Sequence, residues 1–155
     1  MQAYLPIAIY DLPFINYQII YQLPFMIYNL DTNGDRMKRE ELEKRLKEFG
    51  FSVIKLMRIL PKTEENKIFA NQIIRSSSSM GANYAEAVYA QTGQEFFHCL
   101  SICRKESNET LYWLEMILMA NPGYKSKIVP LIEENRQFLK IFISSIKTIR
   151  SKNGK

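Results

Sequence analysis

The stretch "RSSSSMGANYAEA", residues Arg75 to Ala87, determines which architecture the chain can adopt. Serine runs usually mark loops, and a glycine costs a helix roughly 1 kcal/mol relative to alanine. Yet the stretch lies on a helical seam that runs Phe69, Ile73, Ser76, Met80, Asn83, Ala87. Ser78, Ala82 and Ala85 share a second face, with Gly81 beside them. We read it as one thin helix rather than a loop between two shorter ones. A helix that is small all round can be approached from two sides, by its own bundle and by another subunit. Serine hydroxyls can bond back to carbonyls of the preceding turn, so they need not be left unsatisfied.

Before this stretch, Leu42, Leu46, Phe49, Val53, Leu56 and Leu60 form one helical face until Pro61 stops the helix. The second helix runs from about Thr63 to Gln91, with Thr63, Glu64 and Glu65 suited to its start. After a turn at Thr92–Gly93, the third uses Phe97, Leu100, Cys103, Ser107, Leu111, Leu114 and Leu118. Asn121-Pro122-Gly123 breaks the chain, and the fourth uses Ile128, Ile132, Asn135, Leu139, Phe142, Ile146 and Ile149. Pro130 suggests that this last helix begins near it. No run alternates with period two over a useful length. Short connections make neighbours antiparallel, so the expected fold is an all-α, antiparallel, up-down-up-down four-helix bundle over residues 36–150.

Residues 1–35 form an N-terminal apolar extension, and residues 151–155 a basic tail. Residues 1–30 hold a single charge, Asp11, and are cut by prolines at 6, 13 and 24. Each run is far short of the roughly 20 apolar residues of a membrane span, and no basic region precedes them as in a signal peptide. Two readings stay open: an arm that docks on the domain or a neighbour, or an upstream extension with translation starting at Met26 or Met37.

The net charge of +5 is uneven. Arg136, Lys140, Lys147, Arg150, Lys152 and Lys155 follow Glu134 with no acid among them, whereas the chain before is close to neutral. This points to a polyanion such as RNA or DNA as partner. Cys99 and Cys103, four apart on a helix, are not a disulfide framework; they suit a reducing, cytoplasmic setting and read as small buried hydrophobes.

Catalytic and metal readings are weak. Asn29 to Glu40, "NLDTNGDRMKRE", imitates a calcium loop, but its first position is Asn rather than Asp and its eighth is Arg36. It reads better as a glycine turn before an acidic helix start. His98 points about 100° around the helix from Cys99, and with Cys103 the set falls short of four convergent zinc ligands. No phosphate-binding glycine loop or nucleophile elbow is present. No catalytic residue, metal or cofactor is expected. Arg75, Ser79, Asn83, Glu86, Glu106 and Glu109 instead suggest a structural network. In it the seam amide of Asn83 meets a carboxylate of the third helix, with Arg75 as counter-charge, fixing helix register.

The segment from Ile73 to Ile117 carries Arg75, Ser79, Gly81-Ala82-Asn83, Glu86-Ala87, Phe96-Phe97 and the run from Lys105 through Glu115. In these it closely resembles the four-helix-bundle family of proteins encoded in intervening sequences of bacterial 23S rRNA genes. The likeness spans about residues 37–150. It implies a ring-shaped homopentamer, no enzyme activity, and kinship to the accessory protein of diversity-generating retroelements, which binds nucleic acid and its reverse transcriptase. This chain departs from that accessory protein in being nearly neutral outside its tail. The expected function is therefore that of a non-enzymatic homo-oligomer touching RNA or DNA through the tail. The alternative is a protein–protein adaptor, for example a reverse-transcriptase partner with no direct nucleic-acid binding.

Overall fold

A computed structural model of the chain describes residues 39–153, so the N-terminal extension and nearly all of the calcium-like loop lie outside the described residues. Four helices follow in order: α1 (Arg39–Ile59), α2 (Glu64–Val88), α3 (Gly93–Ala120) and α4 (Lys125–Asn153). A short 3-10 turn, Pro122–Tyr124, separates the last two. α2 packs between α1 and α3, α3 packs on α4, and α4 closes against α1, giving the up-down-up-down bundle. No strand occurs among the described residues, and none of their helices is long and apolar enough to cross a membrane.

The helix ends follow from capping chemistry. Thr63 Oγ1 accepts from the Asn66 amide at 3.3 Å, and Thr92 Oγ1 from the Glu95 amide at 3.1 Å, each satisfying a donor that its helix leaves over. α2 ends at Val88, three residues before the Gln91 expected from sequence. There Tyr89 and Ala90 tighten into bonds to Glu86 and Ala87, and Arg39 Nη1 donates to the freed Val88 carbonyl at 3.1 Å. α4 begins at Lys125, not at Pro130. The missing Pro130 amide would have met the Ser126 carbonyl, and both residues are exposed, so water can take that acceptor.

The core is apolar along all four helices, with Val53, Ile73, Met80, Leu100, Leu114, Ile128, Phe138 and Phe142 fully enclosed. Each helix touches two neighbours, so the buried arc is wider than a single seam. That widening produces the differences from expectation. Tyr84, not Asn83, takes the core position after Met80; Asn83 is half-exposed. Phe138 is enclosed while Leu139 is half-buried. On α3, Cys99, Thr110 and Ile117 join the core, and Phe97, Leu111 and Leu118 sit at its edge.

The serine run is helical throughout. Ser76 and Ser77 are buried and their hydroxyls donate back to the Ile73 and Ile74 carbonyls at 3.3 Å; Ser78 is exposed and Ser79 half-buried. Their smallness admits α3 on one side, where Thr110 Oγ1 donates to Ser76 Oγ at 2.9 Å and the Cys103 thiol to the Met80 carbonyl at 3.5 Å. On the other side α1 comes close, and a Cβ added to Gly81 would stand 3.8 Å from Leu46 Cβ. That is ordinary van der Waals contact. Replacing Gly81 by alanine removes backbone entropy from the unfolded chain and creates no clash. Gly81→Ala is therefore expected to stabilise the bundle by about 0.5–1 kcal/mol in urea titration; a destabilised variant would mean that the helices approach more tightly than this.

Candidate nucleic-acid interface

Polar side chains inside the bundle are tied across helices at three levels. Near the α1–α2 turn, Asn66 and Asn121 exchange amide hydrogen bonds at 3.0 and 2.9 Å, and each also donates to a carbonyl, of Pro61 and Ile117 respectively. At mid-height stands the Ser76–Thr110 pair. Between α3 and α4, Asn135 Nδ2 donates to the Ser107 carbonyl at 2.9 Å while the Ser107 hydroxyl donates to Asn135 Oδ1 at 3.3 Å. Asn66, Thr110 and Asn121 were invisible as partners from sequence. Ser76, Ser107 and Asn135, each read as a seam position, gave the available signal: polar side chains at apolar spacing on helices that face one another.

The expected network on the α2–α3 face is present in part. The Arg75 guanidinium donates to Glu109 Oε1 and lies 3.6 Å from Glu106 Oε2, a charge contact with a carboxylate that is only 6 % exposed. Trp113 Nε1 also donates to Glu109, at 3.4 Å. Asn83 does not join. Being off the core seam, its amide turns back along α2 and donates to the Ser79 carbonyl at 2.8 Å and the Ser79 hydroxyl at 3.2 Å. Glu86 is exposed on the same helix. Partial burial pushes the Glu109 carboxyl up, but the hydrogen bonds from Arg75 and Trp113 outweigh it and hold Glu109 below the usual carboxylate range. The same bond, with the Glu109 charge, raises Arg75.

The basic residues lie elsewhere. At about 100° per residue, Arg136, Lys140, Lys147 and Arg150 fall within roughly 80° of arc on α4, and all four are exposed. Lys152 and Lys155 lie beyond the described side chains. Arg136 is already engaged: Nη1 meets Glu133 Oε1 at 2.8 Å and Nη2 meets Glu115 Oε1 at 3.3 Å. The Arg150 guanidinium sits 5.5 Å from the centre of the Phe97 ring on α3. Arg104, exposed on α3 one heptad after Phe97, belongs to the same seam and was missed from sequence. No carboxylate among the described residues pairs with Arg104, Lys140, Lys147 or Arg150. Among the described residues, a cationic half of the α3–α4 seam with no paired acid results, suited to phosphate oxygens.

His98 is exposed, whereas Cys99 and Cys103 are buried free thiols. Burial pushes both thiols up, Cys103 strongly, so they stay protonated. No cluster of metal-ligating side chains occurs among the described residues.

Fold and site together define an all-α four-helix-bundle protein whose buried polar groups lock helix to helix and whose basic groups face outward. Residues 37–144 match the 23S rRNA-intervening sequence protein family, and the chain belongs to that family. It is similar to a protein with unknown function from the S23 ribosomal protein family of Bacteroides thetaiotaomicron VPI-5482, whose crystal structure is known at 1.70 Å resolution. The two are 30% identical with a TM-score of 0.64, over 70% of this chain and 97% of that one. No curated protein matches the chain.

Because Glu109 is held low in the folded bundle, its contribution to stability is complete above the ordinary glutamate range. It is lost as pH falls through the lower folded value. Thermal unfolding followed from neutral to strongly acidic pH should therefore show a smaller acid loss in Arg75→Met than in the parent chain. Parallel pH curves for the two proteins would mean that the α2–α3 ion cluster adds nothing to acid stability.

Proposed function

We propose that this protein is a non-enzymatic, self-associating helical bundle that holds RNA or DNA on the α3–α4 seam in the cytoplasm. The observation that carries the reading is the exposed, acid-free row of Lys140, Lys147 and Arg150 with Arg104 beside it. Self-association is supported by a shallow apolar groove of about 360 Å³ between α1 and α2. Its floor is Ser77, Ser78, Gly81, Ala82 and Ala85, with Phe51 half-exposed on its rim. A second copy laid there would cover apolar surface, and the homopentamer implied by the family resemblance is the assembly proposed. The same groove favours a second reading, an adaptor for another protein such as a reverse transcriptase, with no polyanion binding.

Fluorescence anisotropy of a labelled RNA stem-loop with the full chain separates the two. Binding should weaken steeply as salt rises, and Lys140→Gln with Lys147→Gln should lower the salt slope by about 1.8, near 0.9 for each phosphate no longer neutralised. Salt-independent or absent binding would leave the adaptor reading standing. Light scattering tests the assembly. The parent should run as a pentamer, and Ala82→Trp, which fills the groove from its floor, should run as a smaller species with unchanged helical circular dichroism. A parent that stays monomeric at all concentrations would end the self-association proposal.

A further inference from the structure

We infer that the polyanion is a duplex, held by its phosphates alone. This rests on the nucleic-acid reading above and narrows its ligand. The cations stand on both sides of the α3–α4 seam, on rigid helices. On α4, Lys140 and Arg150 are about 15 Å apart along the axis, with Lys147 between them. On α3, Arg104 is the single cation of the facing side among the described residues, and packed helices of this kind lie about 8–10 Å apart, axis to axis. The register of the two sides is pinned at both ends, by Arg150 over Phe97 and by Arg136 with Glu115. Cations on both sides of the seam can reach phosphates on both sides of one groove, whereas a single strand follows the α4 row.

The composition of the face argues the same way. Single-strand binders gain about 1–3 kcal/mol per base by stacking bases on aromatic rings. Here Phe97 is half-buried and covered by the Arg150 guanidinium. Among the described residues the exposed aromatic rings are Phe51 on α1, Tyr89 at the end of α2, and Tyr112, which lies between Glu109 and Glu115. The exposed His98 is about 100° around α3 from Phe97. Formed by the described residues, this face carries charge without stacking platforms, so it gains nothing from splayed bases and would have to order a flexible strand at an entropic cost. A duplex arrives with its phosphates already ordered, one charge per about 1.7 Å of axis.

The test compares the full chain and Arg104→Gln on a double-stranded RNA, a double-stranded DNA of equal length, poly-U, and phosphatidylserine vesicles, each across a salt series. Both duplexes should bind comparably and more tightly than poly-U or vesicles. Arg104→Gln should lower the duplex salt slope by about 0.9 and leave poly-U binding unchanged. Equal affinity for poly-U and duplex, retention on vesicles as tight as on duplex, or an Arg104→Gln variant with the parent's duplex binding would each overturn the inference while the polyanion reading survives. Absence of salt-sensitive binding to any nucleic acid would overturn both.

Discussion

The bundle depends on how closely α2 can be approached by α1 and α3 together. A central helix with large side chains on two faces would hold its neighbours apart. α2 meets the demand with serine, alanine and glycine, giving up apolar area that larger residues would bury. The loss is limited because each buried hydroxyl is satisfied within α2 itself, by the carbonyl of the preceding turn. Ser76 then remains free to accept from Thr110, so its hydroxyl serves both its own helix and the next one. Sulfur does similar work where Cys103 meets the Met80 carbonyl.

Close packing of small residues specifies position poorly, since small side chains interlock little. Register must come from groups that forfeit hydrogen bonds if the helices slide. The Asn66–Asn121 pair sets α2 against the end of α3, and Ser107–Asn135 sets α3 against α4. A shift of one helical turn would leave these buried amides unpaired, at about 1–3 kcal/mol for each group. The charged surface follows from that register. Arg75 falls level with Glu106 and Glu109, Arg136 level with Glu115, and Arg150 level with Phe97.

The helices and most of their ends were legible in the sequence because capping threonines, Pro61 and the Asn-Pro-Gly break act locally. The core was legible to within one residue at each step. After Met80 a helical step lands on either Asn83 or Tyr84, and only packing against Phe142 settles which is enclosed. The ion cluster was half legible: Arg75 and the two glutamates were, but the role given to Asn83 rested on the wrong face. Arg104 was hidden for another reason. Along α3, basic residues are interspersed with Glu95, Glu106, Glu109 and Glu115, so a count along the chain sees a balanced helix. Folding separates them, since Glu106 turns inward against Arg75 and Glu115 is taken up by Arg136. Charge that is mixed in sequence becomes sorted by face. The reverse holds for Arg136, which counted among the unopposed basic residues after Glu134 and is engaged by two carboxylates.

That sorting bears on how one small bundle could both assemble and bind a polyanion. In an up-down-up-down arrangement α1 and α2 form one side and α3 and α4 the opposite side. The apolar groove lies on the first, floored by the same small residues that let α1 close on α2. The acid-free cations lie on the second. A copy that filled the groove with a surface other than its own α3–α4 side would leave the seams open, and several seams on one assembly would multiply phosphate interactions that are individually weak. The effective concentration of each further seam after the first has bound is set by the assembly rather than by bulk concentration. If both proposals hold, thin packing inside the bundle and polyanion binding outside it are linked, because the small residues of α2 would then provide the surface through which weak seams are brought together.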